Sequence, residues 1–178
     1  MSKPITCTWY MGIDPGANGG IVAANDSRPR IVKWQGLTSR ADLARFLSSF
    51  VSFVQRDSCA SVRAVVELNS SSPQMGVVSA FTFGRNCERP SAMLSALGIP
   101  YEEVRPQVWQ RFLHIPPRKK ATKGKAGETN TQWKDRLRSK AQQMFPSMDL
   151  WDRTKTIQRA VCDAVLIAEY CRRIHLGQ

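Results

Sequence analysis

An acidic residue closes the first apolar run of this chain, and this feature constrains the fold more than any other. Residues 7–13 are mostly apolar and lead into Asp14, which is followed by Pro15, Gly16 and further glycines before a second apolar run begins at Ile21. Apolar runs of this length between Gly and Pro residues are typical of buried strands, so Asp14 is predicted to end a central strand. A carboxylate there is costly to bury and needs a partner or a metal ion, unless it simply accepts hydrogen bonds from the turn amides after it.

Composition narrows the class of protein. The 178 residues, 42% of them hydrophobic, indicate one globular domain over residues 1–178. No apolar run is long enough to span a bilayer and the N-terminus shows no secretory signal. We therefore expect a soluble intracellular protein, in the cytoplasm of a bacterial or phage host, or in an organelle matrix if a presequence has been removed.

Five cysteines without CxxC spacing favour buried thiols over a zinc module or a disulfide framework. A net charge of +12 favours a polyanionic partner, most often nucleic acid.

The order of periodic segments predicts an α/β chain. Strands at 19–24 and 30–34 follow the first, giving an antiparallel three-strand start that differs from a nucleotide-binding doubly wound fold. Gly16, Gly19 and Gly20 match neither GxGxxG nor GxxxxGK[ST], which argues against a nucleotide loop. The remaining pattern predicts a helix capped by Thr38, a strand at 63–68, a helical region at 76–98 that Pro90 kinks or breaks, a strand at 101–105, and helices at 106–113, 132–145 and about 157–174.

Two further acids stand in positions like that of Asp14. Glu67 lies near the end of the fourth strand, and Asp163 lies inside the apolar stretch of the last helix, between Cys162 and Ala164. A carboxylate buried there would require a cation. Carboxylate oxygens are natural ligands of Mg²⁺, and two such ions about 4 Å apart can activate a water and stabilise the leaving oxygen in phosphodiester cleavage. With a basic surface, the three acids predict a nuclease that depends on Mg²⁺, with Mn²⁺ as a substitute.

A basic segment interrupts the pattern of strands and helices at about 115–131. It contains glycine, lacks apolar periodicity and is predicted to be a flexible loop. A charge run is usually a solvated face, but a flexible basic insertion also suits phosphate contacts that become ordered on binding. The candidate nucleic-acid-binding residues of this segment are Arg118, Lys119, Lys120, Lys123 and Lys125.

Short motifs along the chain resemble those of RuvC-type Holliday-junction resolvases, especially phage and organellar members, within the ribonuclease H-like superfamily. The matching segments are Gly12-Ile13-Asp14-Pro15-Gly16, Val65-Val66-Glu67, and residues 80–85, 96–101, 104–109, 141–146 and 162–170. The resemblance extends from about residue 9 to residue 173. It implies a ribonuclease H-like fold, in which a five-stranded mixed sheet is flanked by helices.

The same resemblance implies an activity. Its members are homodimers that bind a four-way DNA junction and nick two strands of like polarity symmetrically, in DNA recombination and repair. Asp14, Glu67 and Asp163 would be the catalytic metal ligands, and Lys134 and Arg85 would contact DNA. The helical region at 76–98 would lie near the dimer face and the junction centre, although its large apolar face also suits ordinary core packing.

The chain departs from the family pattern at one place that bears on activity. The family carries a fourth acid three or four residues before the last one, where this chain has Ala160 and Arg159. Arg159 is spaced to pair with Asp163, which would occupy a carboxylate that a metal needs. Asp152 or Glu169 could replace the missing acid. Two alternatives to an active junction endonuclease remain: a degenerate module that binds DNA or RNA as a structural or assembly factor, and a ribonuclease acting on RNA–DNA hybrids.

Overall fold

The computed structural model describes residues 7–16, 19–25, 32–35, 39–56, 61–124, 126–146 and 155–178, with the backbone alone at 32–35 and 155–160. Several sequence predictions fall outside this part of the chain. They concern the turn at 26–29, Thr38, Lys125, Asp152 and the side chains of Arg159 and Ala160.

A mixed sheet with the strand order β3-β2-β1-β4-β5 forms the centre of the molecule. The strands are β1 (Thr8–Asp14), β2 (Gly20–Asn25), β3 (Val32–Gln35), β4 (Ser61–Glu67) and β5 (Tyr101–Val104). β1 pairs antiparallel with β2 and parallel with β4, β2 pairs antiparallel with β3, and β4 pairs parallel with β5. The α/β class and the antiparallel start are therefore as predicted.

Five described helices flank this sheet: α1 (Arg40–Gln55), α2 (Val77–Ala96), α3 (Pro106–Phe112), α4 (Asn130–Met144) and α5 (Lys155–Leu176). Among the residues described, no helix combines the length and the apolar character that crossing a membrane requires.

The predicted cap of α1 is wrong, and of the two alternatives for Pro90, a kink or a break, the break does not occur. The N-cap of α1 is Ser39 rather than Thr38, because the Ser39 hydroxyl accepts a hydrogen bond from the backbone N–H of Asp42 at 3.4 Å. α2 is not broken at Pro90 but continues through it to Ala96. Pro90 is buried, and this packing offsets the backbone N–H that proline lacks.

The two faces of the sheet carry separate hydrophobic cores. α1 and the end of α2 cover the face that presents Met11 and Ile13, whereas α3, α4 and α5 cover the face that presents Tyr10 and Val65. Successive side chains of a strand point to opposite faces. Asp14 therefore shares the face of Tyr10, and Glu67 shares that of Val65, so both acids point to the side of α5.

Gly12 allows α5 to lie directly against β1. A Cβ atom at this position would come within 2.2 Å of the carbonyl oxygen of Ala164 and of the backbone nitrogen of Ala168. Any side chain would separate the helix from the strand. The close approach brings Asp163 of α5 towards the end of β1, where Asp14 lies.

Candidate active site

The structure brings the three predicted acids together on one side of the sheet. Asp14 ends β1, Glu67 ends the neighbouring parallel strand β4, and Asp163 lies on α5; their exposed fractions are 9%, 8% and 3%. Ile13 pairs with Val66, so the acids that follow them stand at adjacent strand ends, at the roughly 4.8 Å spacing of neighbouring strands. The result is a buried cluster of carboxylates, called the acid cluster below.

The pKa of Glu67 shows that negative charge is unfavourable in the acid cluster. Burial raises the pKa of Glu67, and the neighbouring carboxylates of Asp14 and Asp163 raise it further, to about 8. Lys134 and a hydrogen bond from Trp109 act in the opposite direction. Glu67 is therefore protonated at neutral pH unless a cation enters the acid cluster.

Burial is also the largest influence on the pKa values of the other two acids, Asp14 and Asp163. Burial raises the pKa of Asp14, against the opposing effects of the Gly16 amide and Lys134. That amide donates to Asp14 Oδ1 at 3.0 Å, so the turn contact considered from sequence alone is present. Burial also raises the pKa of Asp163, to about 6, although Lys134 lowers it. Three carboxylates that resist ionisation together form a site that a cation would stabilise.

Lys134 supplies positive charge to the acid cluster. It lies on α4, half-buried, and its Nζ donates to Asp163 Oδ2. Burial opposes the charge of the ammonium group, but the contact with Asp163 keeps the Lys134 pKa above its ordinary value. The sequence prediction that a buried Asp163 requires a cation is thus met by a lysine. Asp163 Oδ1 is buried without a hydrogen-bond partner among the described residues.

Two residues beside these acids were not predicted from the sequence. The indole Nε1 of Trp109, a fully buried residue of α3, donates to Glu67 Oε1 at 3.0 Å. Cys87 of α2 is near enough that Asp14 and Glu67 add to the rise in its pKa, after the larger effect of burial. A buried tryptophan needs an acceptor for its N–H, which is the one signal that could have pointed to Trp109.

The remaining predicted DNA contacts that the structure describes are exposed. Arg85 is exposed on α2, with its guanidinium carbon 5.6 Å from the ring centre of Phe81. Arg118, Lys119, Lys120 and Lys123 are exposed in the segment before α4. The described hydrogen bonds of that segment run to Glu128 and Arg136, not to the acid cluster.

Glu169 does not replace the missing fourth acid. Its carboxylate binds Arg172 at 2.8 Å and Arg173 at 2.6 Å. Burial alone would raise its pKa, but these two arginines outweigh that effect and lower it. Glu169 is therefore an ionised structural carboxylate on α5.

The three carboxylates are suitable ligands for a hard divalent cation. In the structure, one of them, Asp163, is paired with Lys134. Carboxylates are the ligands that Mg²⁺ prefers, and Asp163 Oδ1, which has no hydrogen-bond partner among the described residues, could coordinate such an ion. Among the described residues, however, no group of three or more Asp, Glu, His or Cys side chains is already gathered as a metal cage. Lys134 engages Oδ2 of Asp163, so Oδ1 is the oxygen of this residue that a metal could take while the contact with Lys134 persists.

Comparison with known proteins gives a likeness of overall structure. No protein-family model and no curated protein sequence matches the chain. RuvC from Thermus thermophilus in complex with a Holliday junction substrate is 15% identical, with a TM-score of 0.47, over 94% of this chain and 95% of that one. A second Thermus thermophilus RuvC structure is 15% identical, with a TM-score of 0.45, over 93% of this chain and 95% of that one. The ethanolamine utilization protein EutJ from Carboxydothermus hydrogenoformans is 10% identical, with a TM-score of 0.40, over 96% of this chain and 91% of that one. Identities and TM-scores this low carry no statement about function.

Proposed function

We propose that this chain is a metal-dependent endonuclease that resolves four-way DNA junctions. The observation that carries the proposal is the acid cluster: carboxylates from β1, β4 and α5 meet in a buried place, where Asp14 and Asp163 make ionisation of Glu67 less favourable and Asp14 does the same to Asp163. Such an arrangement costs stability and is typical of functional sites. The net charge of +12 supports a nucleic-acid substrate, and the motif resemblance supports the junction as its form.

Asp14, Glu67 and Asp163 would hold Mg²⁺ or Mn²⁺. When bound, the metal supplies an activated water and stabilises the leaving oxygen of the cleaved phosphodiester. Lys134 contacts Asp163 in the metal-free chain, and we propose that it turns to a substrate phosphate when Asp163 binds metal. Trp109 fixes Glu67 Oε1 by hydrogen bonding throughout.

A second copy of the chain would supply the second symmetric nick. The start of α2 presents Val77, Val78 and Phe81 with exposed fractions of 87%, 80% and 66%. Apolar side chains grouped at this level of exposure are unusual in a monomer and favour a partner surface. We propose that this helix end contributes to a homodimer near the junction.

One observation favours a different function. The ion pair between Lys134 and Asp163 already neutralises one of the acids, as a degenerate site would. The competing proposal is a catalytically inactive module that binds DNA or RNA as a structural factor.

The first prediction separates these functions. The purified chain should nick a labelled four-way junction at symmetric positions in Mg²⁺ or Mn²⁺, and EDTA should abolish the reaction. Asp14→Asn should lower cleavage by roughly a hundredfold or more, because it removes a ligand charge, while junction binding persists. Glu102→Gln, which removes an exposed carboxylate of β5, is the matched control and should cleave normally.

Tight binding without cleavage in either metal would contradict the enzyme and support the binding module. Cleavage of an RNA–DNA hybrid in preference to the junction would instead support the ribonuclease alternative.

A further inference from the structure

The segment expected to be flexible is fastened to α4 at its base. Arg136 of α4 donates to both carboxylate oxygens of Glu128, at 3.0 and 2.8 Å. The same guanidinium donates to the carbonyl oxygens of Pro116 at 2.7 Å and Pro117 at 3.1 Å. One side chain of α4 therefore holds both the entry and the exit of the segment. We call these contacts the Glu128–Arg136 clamp.

Glu128 also joins the two arms of the segment to each other. Its backbone N–H donates to the carbonyl of Lys119 at 2.9 Å, and its carboxylate accepts from the backbone N–H of Lys119 at 3.2 Å. Arg118 Nε donates to the Glu128 carbonyl at 3.0 Å. The arms approach so closely that a Cβ atom at Gly127 would lie 2.6 Å from the backbone nitrogen of Ala121.

The clamp rests on a rigid support. The guanidinium of Arg136 lies 4.5 Å from the ring centre of Trp133, which is buried in the core beneath α4. A capping box between Thr129 and Gln132 fixes the start of the helix immediately after Glu128. Glu128, the acid of this segment, is engaged inwards, while Lys119, Lys120 and Lys123 are exposed.

We propose that the Glu128–Arg136 clamp preorganises residues 116–124 and 126–128 as a binding surface for a nucleic-acid phosphate backbone. The inference rests on the nucleic-acid partner of the proposed function. A segment that is already folded loses less conformational freedom when it binds than one that must order first. Its outward charge is positive, which suits a polyanion.

Glu128→Ala tests the proposal because charge and preorganisation predict opposite signs. Losing an acid makes the chain more basic and, by electrostatics alone, should tighten DNA binding. If the clamp preorganises the segment, junction binding measured by fluorescence anisotropy at fixed salt should weaken about tenfold instead. Glu102→Ala makes the same change in net charge on an exposed strand residue and should bind as tightly as the unmodified chain, or slightly more tightly.

Arg136→Lys provides a second variant with unchanged charge. Lysine cannot reproduce the forked contacts with Glu128, so this variant should also bind more weakly, and the backbone amide of Lys119 should exchange hydrogen faster in both clamp variants. Binding by Glu128→Ala as tight as that of Glu102→Ala overturns the clamp and leaves the proposed function standing. A failure of the unmodified chain to bind any nucleic acid overturns both.

Discussion

Asp163 occupies a helix position where an apolar side chain would be expected, because its neighbours Cys162, Ala164 and Val165 are all buried. Taking a carboxylate out of water costs several kcal/mol unless its partners compensate. Lys134 engages one oxygen, and the other lacks a partner among the described residues. The chain therefore gives up stability here, which is understandable if the carboxylate serves a ligand.

Trp109 leads to a prediction at the same scale. Trp109→Phe removes the hydrogen bond to Glu67 and should weaken Mn²⁺ binding, measured by electron paramagnetic resonance, by about tenfold. The protein should remain folded but lose about 1–3 kcal/mol of unfolding free energy.

The control for this variant is Leu113→Ala, which removes packing from the same core but no contact with Glu67. It should lose comparable or greater stability while keeping its affinity for Mn²⁺. Equal losses of affinity in both variants would show that Trp109 acts only through packing.

Single residues also mark how far the sequence could be interpreted. Asp14, Glu67 and Asp163 were identifiable because each interrupts or ends an apolar run. Their partners were not, because Trp109 looks like an ordinary core residue and lies 42 positions from Glu67. Nothing in the sequence alone indicates that Lys134 contacts Asp163.

Among the elements, the crossing of α5 over β1 is the most sensitive to substitution. Gly12→Ala would place a methyl group 2.2 Å from two backbone atoms of α5, so we expect a loss of about 3 kcal/mol or more in chemical denaturation. Mn²⁺ binding should weaken with it, since Asp163 moves away from Asp14.

Gly84 offers the opposite case for comparison. It lies within α2, and an added Cβ atom would meet nothing within 4 Å. Gly84→Ala should leave stability unchanged or raise it by about 0.5–1 kcal/mol, because alanine favours helix. Destabilisation of similar size in both variants would contradict the close approach at Gly12.

Elements were predicted best where a period of apolar residues governs them. The strands and α4 follow that rule, and Trp133, Leu137 and Ala141 are buried as their spacing indicates. The basic segment makes polar contacts with Glu128 and Arg136, which leave no apolar period and so could not be predicted from the pattern. Pro90 does not break α2, because buried packing outweighs its unfavourable local preference.

For the whole molecule, the acid cluster predicts an unusual dependence of stability on pH. The folded-state pKa values of Glu67 and Asp163, about 8 and about 6, lie above their ordinary values of 4.5 and 3.8. A raised folded-state pKa contributes stability that is present below the unfolded-state pKa and is lost as pH rises through the folded-state value. The metal-free protein should lose on the order of a few kcal/mol between about pH 3.8, where unfolded Asp163 begins to ionise, and about pH 8.

Urea denaturation across that range, with and without Mn²⁺, measures the effect. Mn²⁺ should restore stability most at the alkaline end, where the carboxylates are ionised and can bind it. Glu67→Gln should flatten the curve of the metal-free protein. If stability varied with pH in that variant as it does in the unmodified protein, Glu67 would not be a main cause of the pH dependence.

At this scale the sequence predicted most of the architecture, because the alternation of strands and helices limits the ways the chain can pack. The two-sided core and the direction in which Asp14 and Glu67 point both follow from a strand period of two. The neutralisation of Asp163 does not follow, because it depends on where α4 comes to rest against α5.

The close fit of α5 against Gly12 also bears on how the protein is made. Residues 8–67 contain four of the described strands and two of the three acids, but α5 is synthesised long afterwards. Until it emerges from the ribosome, the sheet face that presents Tyr10 and Val65 lacks this cover and is open to chaperones. Asp163 joins Asp14 and Glu67 only when this helix docks, so the proposed metal site cannot form before α5 has packed against β1.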